Sequence, residues 1–262
     1  MVMKIVNPSA TLPISVTYSC AMNCKHCGGV YIKSMVHISN MEKYVKRYNS
    51  FLISGGMTKD GKIPFKSYLP KLFELKQKYH LTYNFHIGFP KAPPFEIDKI
   101  ADVISFDFFS DPEILEEIYG IKRTPNDILN SVLPLKTRKV PHITIGILCG
   151  KITHEIESIK ILSKYFDTIV LNILIPTKNT IYEKCTPPKI ENVKEVFKEA
   201  NKRFKNVILG CMHPHGKYRE KLLLEISDYL NIFVNSASKE YDFKGCCSLF
   251  EVKKEKNKEV KL

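Results

Sequence analysis

The sequence predicts an α/β protein, a full or partial (β/α) TIM-like barrel of parallel strands with outer helices. Short β-branched or aromatic runs alternate with longer helical stretches along the 262 residues. Such alternation means parallel strands joined by right-handed crossovers. The unit repeats often enough to build a barrel, whereas a doubly wound open sheet, the other layout these elements permit, needs no such count. Cysteines and glycines also gather where the strand runs end, which is the rim where barrels collect chemistry.

In order, strands are expected at 14–18, 51–54, 82–87, 103–108, 142–148, 168–175, 207–209 and 232–234. Helices are expected at 42–48, 68–79, 96–101, 112–119, 125–135, 154–166, 190–204 and 220–229. In 68–79, Leu69, Leu72, Phe73 and Leu75 recur at helical spacing beneath lysine-rich positions. Residues 1–240 are assigned to the barrel, and 241–262 to a C-terminal segment carrying Cys246, Cys247 and a lysine-rich tail.

Apolar residues make up 44% and charged residues 26%, the profile of a globular protein in water. The longest apolar stretches, such as 168–176, are too short to span a bilayer, so no membrane partner is expected. With no pattern of a secretory leader, a cytoplasmic location is expected. The net charge of +13 invites a nucleic-acid reading. However, the lysines are spread over presumptive helix faces and end in a solvated tail, so nucleic acid is not expected, and an acidic carrier protein is the partner that charge would suit. Eight cysteines in that compartment point to metal binding or catalysis over disulfides.

Three of these cysteines lie together. Tyr18-Ser19-Cys20-Ala21-Met22-Asn23-Cys24-Lys25-His26-Cys27 follows the first expected strand and spaces its thiols as C-x3-C-x2-C. Three thiolates on one loop can hold three corners of an iron–sulfur cube and leave the fourth iron open to a small molecule. Zinc wants a fourth ligand, which His26 or His37 offers by counting alone, but the spacing is a poor zinc pattern. Chance clustering of buried cysteines is the bland alternative.

This loop resembles the signature of the radical SAM superfamily. The resemblance implies a 4Fe-4S cluster on Cys20, Cys24 and Cys27, with S-adenosyl-L-methionine (SAM) chelated by the open iron and cleaved to a 5′-deoxyadenosyl radical. His26 stands where that family often has another aromatic or apolar residue. Leu52-Ile53-Ser54-Gly55-Gly56 resembles the family's glycine turn for the SAM amino group, with Met57 where an acidic residue often follows. Gly146-Ile147-Leu148-Cys149-Gly150 resembles its element beside the adenine. The run from Leu171 and Asn172 through Pro176 to Thr180 resembles its sixth-strand segment, with Asn179 in place of a glycine; asparagine tolerates the left-handed backbone this requires. Asp107 and Asp111 are candidates for the SAM ribose, and Asp111 before Pro112 equally suits a helix cap.

The likeness narrows to archaeal biotin-synthase-like proteins, related to the halves of a two-protein lipoyl synthase. It is carried by His86 and Gly88, Ser105-Phe106-Asp107, the run Pro141 to Gly146, and Gly210-Cys211-Met212-His213-Pro214 with Lys217-Tyr218-Arg219. It implies sulfur insertion into a small-molecule or carrier-bound acyl substrate, an electron donor of ferredoxin or flavodoxin type, and a second radical SAM subunit as a candidate partner. An auxiliary iron–sulfur cluster as sulfur source would draw on Cys149, Cys211, Cys246 and Cys247, with Cys185 as a further candidate, if the C-terminal segment folds over the barrel mouth. Two buried strand cysteines are the plainer reading of Cys149 and Cys211. His213, His215 and Arg219 are candidates for a substrate carboxylate or phosphate. The competing readings are a radical SAM methyltransferase or rearranging enzyme with one cluster, and an iron–sulfur protein that never cleaves SAM.

Overall fold

The computed structural model describes residues 3–250, so the lysine-rich tail lies outside the described residues. Eleven strands form one sheet, and all its pairings are parallel. They are β1 (Lys4–Asn7), β2 (Thr11–Ser15), β3 (Val36–His37), β4 (Ser50–Ser54), β5 (Thr82–Ile87), β6 (Val103–Asp107), β7 (Lys139–Ile145), β8 (Thr168–Ile173), β9 (Asn206–Leu209), β10 (Ile232–Val234) and β11 (Phe243–Lys244). The order across the sheet is β11-β1-β10-β9-β8-β7-β6-β5-β4-β2-β3.

That order forces the sheet to curl. β1 and β2 are eight strand spacings apart in it, which laid flat would separate them by about 38 Å. The link between them, Pro8–Ala10, reaches at most about 14 Å. The sheet therefore wraps round, and β1 and β2 act as one bent stave that pairs with β10 through its first half and with β4 through its second. The bend is local chemistry: Pro8 lacks an N–H for a ladder, and the Asn7 side chain accepts the Ser9 N–H at 3.0 Å. Eight staves in a ring are the expected barrel. β1 escaped the sequence reading because Pro8 and Pro13 break the strand pattern there.

Helices α1 (Leu69–Tyr79), α2 (Pro112–Tyr119), α3 (Pro125–Val132), α4 (Glu155–Leu162), α5 (Ile190–Arg203) and α6 (Lys217–Ile226) lie outside the ring. The stretches expected as helices at 42–48 and 96–101 form only 3-10 turns, Ile38–Tyr44 and Phe95–Ile97. Outward strand residues such as Phe51, Phe85, Phe106, Ile143 and Leu171 pack against Leu72, Leu75, Val193 and Phe197 of the helices in one continuous core. Among the described residues no helix is long and apolar enough to cross a membrane.

A second, smaller core fills the lumen. Cys247, Leu249 and Phe250 pack there against Val6, Val103, Val140, Val170, Ile208 and Ile232. Val103 and Ile232 open their strands, so the C-terminal segment enters at the end where strands begin. β11 adds to β1, and the Gly245 N–H donates to the Asn7 carbonyl at 2.8 Å. The expected fold-over at the mouth is thus reversed: the segment plugs the opposite end, because its apolar residues match the valine-rich lower lumen.

One buried carboxylate holds the rim of β7. Glu155 is fully buried and accepts the N–H groups of Gly146 at 2.7 Å and Thr153 at 2.6 Å. Glu155→Ala orphans both donors and should cost about 1–3 kcal/mol, seen as a lowered Tm; an unchanged Tm would show that water replaces the carboxylate.

Candidate functional site

The thiol loop follows β2 at the C-terminal rim of the barrel. Cys24 is buried, and its carbonyl accepts the N–H groups of Cys27 at 3.0 Å and Gly28 at 2.8 Å, turning the chain so that Cys20, Cys24 and Cys27 all line one cavity. The loop is clamped from several sides. The Met57 N–H donates to the Cys20 sulfur at 3.3 Å, and the Met57 carbonyl accepts the Ala21 N–H at 2.9 Å. Tyr31 Oη lies 2.7 Å from Thr177 Oγ1, tying the loop to the segment after β8. Asn179 in that segment has φ 63°, the left-handed turn expected of it.

The glycine turn after β4 performs a role the sequence did not disclose. A Cβ on Gly56 would lie 2.1 Å from the Ser19 carbonyl oxygen and 2.6 Å from Cys20 Cα. Gly56 therefore lets β4 press directly on the thiol loop, while Ser54 and Gly55 line the cavity. The Gly56 N–H also donates to Thr17 Oγ1 at 2.6 Å.

The cavity has a volume of about 280 Å³ and apolar walls that include Met22, Ile32, Met35, Met57 and Phe89. Its polar lining includes Ser54, His86 and Asp107. Burial, with Cys27 and then Cys20 nearby, pushes the Cys24 thiol up to about 12. The Cys24 thiol thus favours its protonated form and ionises only against a compensating cation. Soft sulfur donors on one loop beside a roomy cavity fit an iron–sulfur cube. His26 is neutral, its pKa lowered to about 4 by burial, and its ring meets Tyr119 edge-on at 5.2 Å. It therefore fills the aromatic place beside the last cysteine.

The remaining expected residues divide. Gly146 and Gly150 have φ of 71° and 88° and pack on the segment 186–188, outside the cavity lining. Cys149 in that turn bonds Cys185 in a disulfide with Cα atoms 5.2 Å apart. The expectation that the cysteines serve metals over disulfides is corrected at this pair, because the left-handed turn at Cys149 brings it onto the loop after β8. Asp111 accepts the N–H of Glu113 at 2.9 Å and of Ile114 at 3.4 Å, so it caps α2. Asn172 Oδ1 accepts the Met212 N–H at 3.4 Å, and a Cβ on Gly210 would lie 2.1 Å from it, so Asn172 braces β8 on β9. Pro176 does not line the cavity. His213 is buried with Nδ1 at 2.7 Å from the Gly210 carbonyl, whereas His215 is exposed and Arg219 half-buried, their nitrogens 3.5 Å apart.

Below the cavity, three other cysteines approach one another. Cys211 is exposed at its surface, yet the surrounding protein, with Cys246 nearby, pushes its thiol up to about 11. Cys246 is held down by hydrogen bonds from the Cys247 thiol, Asn84 and Ser248, with Asn84 Nδ2 donating at 3.2 Å. Cys247 is raised by the same contact with Cys246. Asn84 and Ser248 were missed in the sequence, although strand alternation places Asn84 and His86 on one face of β5. Beside them His142 is buried, with Nε2 3.3 Å from Ser248 Oγ. Burial raises the Asp107 carboxyl and lowers the His142 imidazole.

Fold and site together define a parallel (β/α) barrel with a three-thiol cavity at its C-terminal rim. No protein-family model matches the sequence, and no curated protein sequence is similar to it. Among solved structures the chain is similar to methylornithine synthase, with a TM-score of 0.61 at 11% identity over 94% of this chain and 76% of that one. It also aligns with (S)-3-O-geranylgeranylglyceryl phosphate synthase from Thermoplasma acidophilum, at TM-score 0.43, 12% identity, and 90% and 88% of the two chains. The likeness to methylornithine synthase shows the shared barrel fold.

Proposed function

We propose that the chain is a radical SAM enzyme, with a 4Fe-4S cluster on Cys20, Cys24 and Cys27. The observation that carries this reading is the convergence of those thiols with Ser54, Gly55, His86, Gly88 and Asp107 on one cavity at the C-terminal rim. When bound, the cluster supplies the electron that splits SAM into methionine and a 5′-deoxyadenosyl radical. The chain's own part is positional. Met57 and Gly56 fix the thiol loop against β4, and the peptide groups around Ser54 and Gly55 offer hydrogen bonds to the SAM amino group. The methionine-rich walls exclude water from a reactive species.

The sulfur-inserting reading rests on Cys211, Cys246 and Cys247, which approach one another in the lumen below the cavity. They are proposed to hold an auxiliary iron–sulfur cluster, with Asn84 and Ser248 bonded to Cys246. A rearranging or methyl-transferring enzyme needs no such second group. Anaerobic reconstitution tests both levels. Adding SAM to the reduced protein should alter the EPR signal of the rim cluster, and an unaltered signal would count against the open iron. Iron should exceed about four per chain and fall to about four in Cys246→Ala; about four in both proteins would remove the auxiliary cluster. Incubation with an octanoylated carrier peptide, read by mass spectrometry, then tests sulfur insertion itself.

A further inference from the structure

We infer that His86, Asp107 and His142 form a binding site for one divalent transition-metal ion, its ligands distinct from the three thiols although His86 and Asp107 line the same cavity. Their donor atoms all lie within 4.8 Å of one another. The three residues come from adjacent strands, and the register brings them together: His86 pairs with Ser105 two residues before Asp107, and Asp107 pairs with His142. All three therefore project from neighbouring staves toward the same point, as ligands on rigid elements should.

A simple His–Asp ion pair does not account for the arrangement. His86 Nε2 stands 3.8 Å from Asp107 Oδ1, too far for a hydrogen bond, and the Asp107 side chain has no hydrogen bond among the described residues. The Asp107 carboxylate is three-quarters buried and without donors, which costs hydration that an ion would offset. His142 carries the outer support that metal-binding histidines have. Ser248 Oγ holds its Nε2, and the same hydroxyl accepts from Ser105 Oγ at 3.2 Å, which leaves Nδ1 as the ring's other donor atom. Two imidazoles and one carboxylate suit zinc, iron(II) or cobalt(II) and not magnesium or calcium. Three protein ligands leave coordination open for a substrate oxygen or nitrogen, which would be held within reach of the thiol cavity that His86 and Asp107 line.

The test uses the full chain after anaerobic iron–sulfur reconstitution, with Co2+ and Zn2+ as probes counted separately from iron. The expected result is one Co2+ or Zn2+ per chain, with X-ray absorption showing nitrogen and oxygen ligation. His142→Ala and Asp107→Asn should each weaken binding at least about tenfold. His142→Gln, which retains a hydrogen-bonding group for Ser248, guards against a variant that merely misfolds. Binding that is absent, ligated by sulfur alone, or unchanged in all of these variants overturns the site. Because the rim cluster is assayed in the same samples by its EPR signal, loss of this site and loss of the radical SAM reading are told apart.

Discussion

Cys24→Ser is expected to strip the rim cluster while leaving the barrel folded. Cys24 is buried at 6% exposure at the centre of the loop, and serine matches its size without its affinity for iron. Iron should fall by about four per chain, and SAM cleavage should drop to background. Stability of the metal-free chain should hardly change, because Cys24 is a neutral thiol there, its pKa raised by burial and by its two neighbours. Circular dichroism with iron analysis checks both halves. Retained iron would mean that the cluster rests on other ligands.

Gly56→Ala is the harshest single-methyl change at the site. Its Cβ would collide with the Ser19 carbonyl and Cys20 Cα, both backbone atoms that no rotamer change can move. Overpacking of this kind costs about 1–3 kcal/mol, a fall in Tm of about 2–10 °C for a domain this large. More tellingly, the loop must shift and carry Cys20 away, so iron occupancy should fall with it. Gly120→Ala is the control: nothing lies within 4 Å of its Cβ, and its φ of 68° adds only backbone strain. It should lower Tm modestly and keep its iron. Equal iron in both variants would show that the contact between β4 and the thiol loop does not position Cys20.

The barrel was largely legible because its strands announce themselves. The expected strand at 82–87 matches β5, and 232–234 matches β10. What escaped is what the fold builds from distant residues. β1 is short and ends at Asn7, before Pro8, so its pairing with β10 is what reveals it as half of a stave. The thiol loop was readable because its ligands are adjacent in sequence and its spacing is chemistry in itself. The lumen was not: His86, Asp107 and His142 come from separate strands, and Ser248 reaches them only because the C-terminal segment enters from below. Cys149 misled for the converse reason. Its place at a strand end suggested cluster chemistry, but the local left-handed turn directs it to Cys185.

Product analysis after anaerobic incubation of the reconstituted, dithionite-reduced chain with SAM tests the central claim most directly. The account predicts 5′-deoxyadenosine and methionine in equal amounts, both lost in Cys24→Ser. A chain that carries its rim cluster and yet forms no 5′-deoxyadenosine above a protein-free control would contradict it.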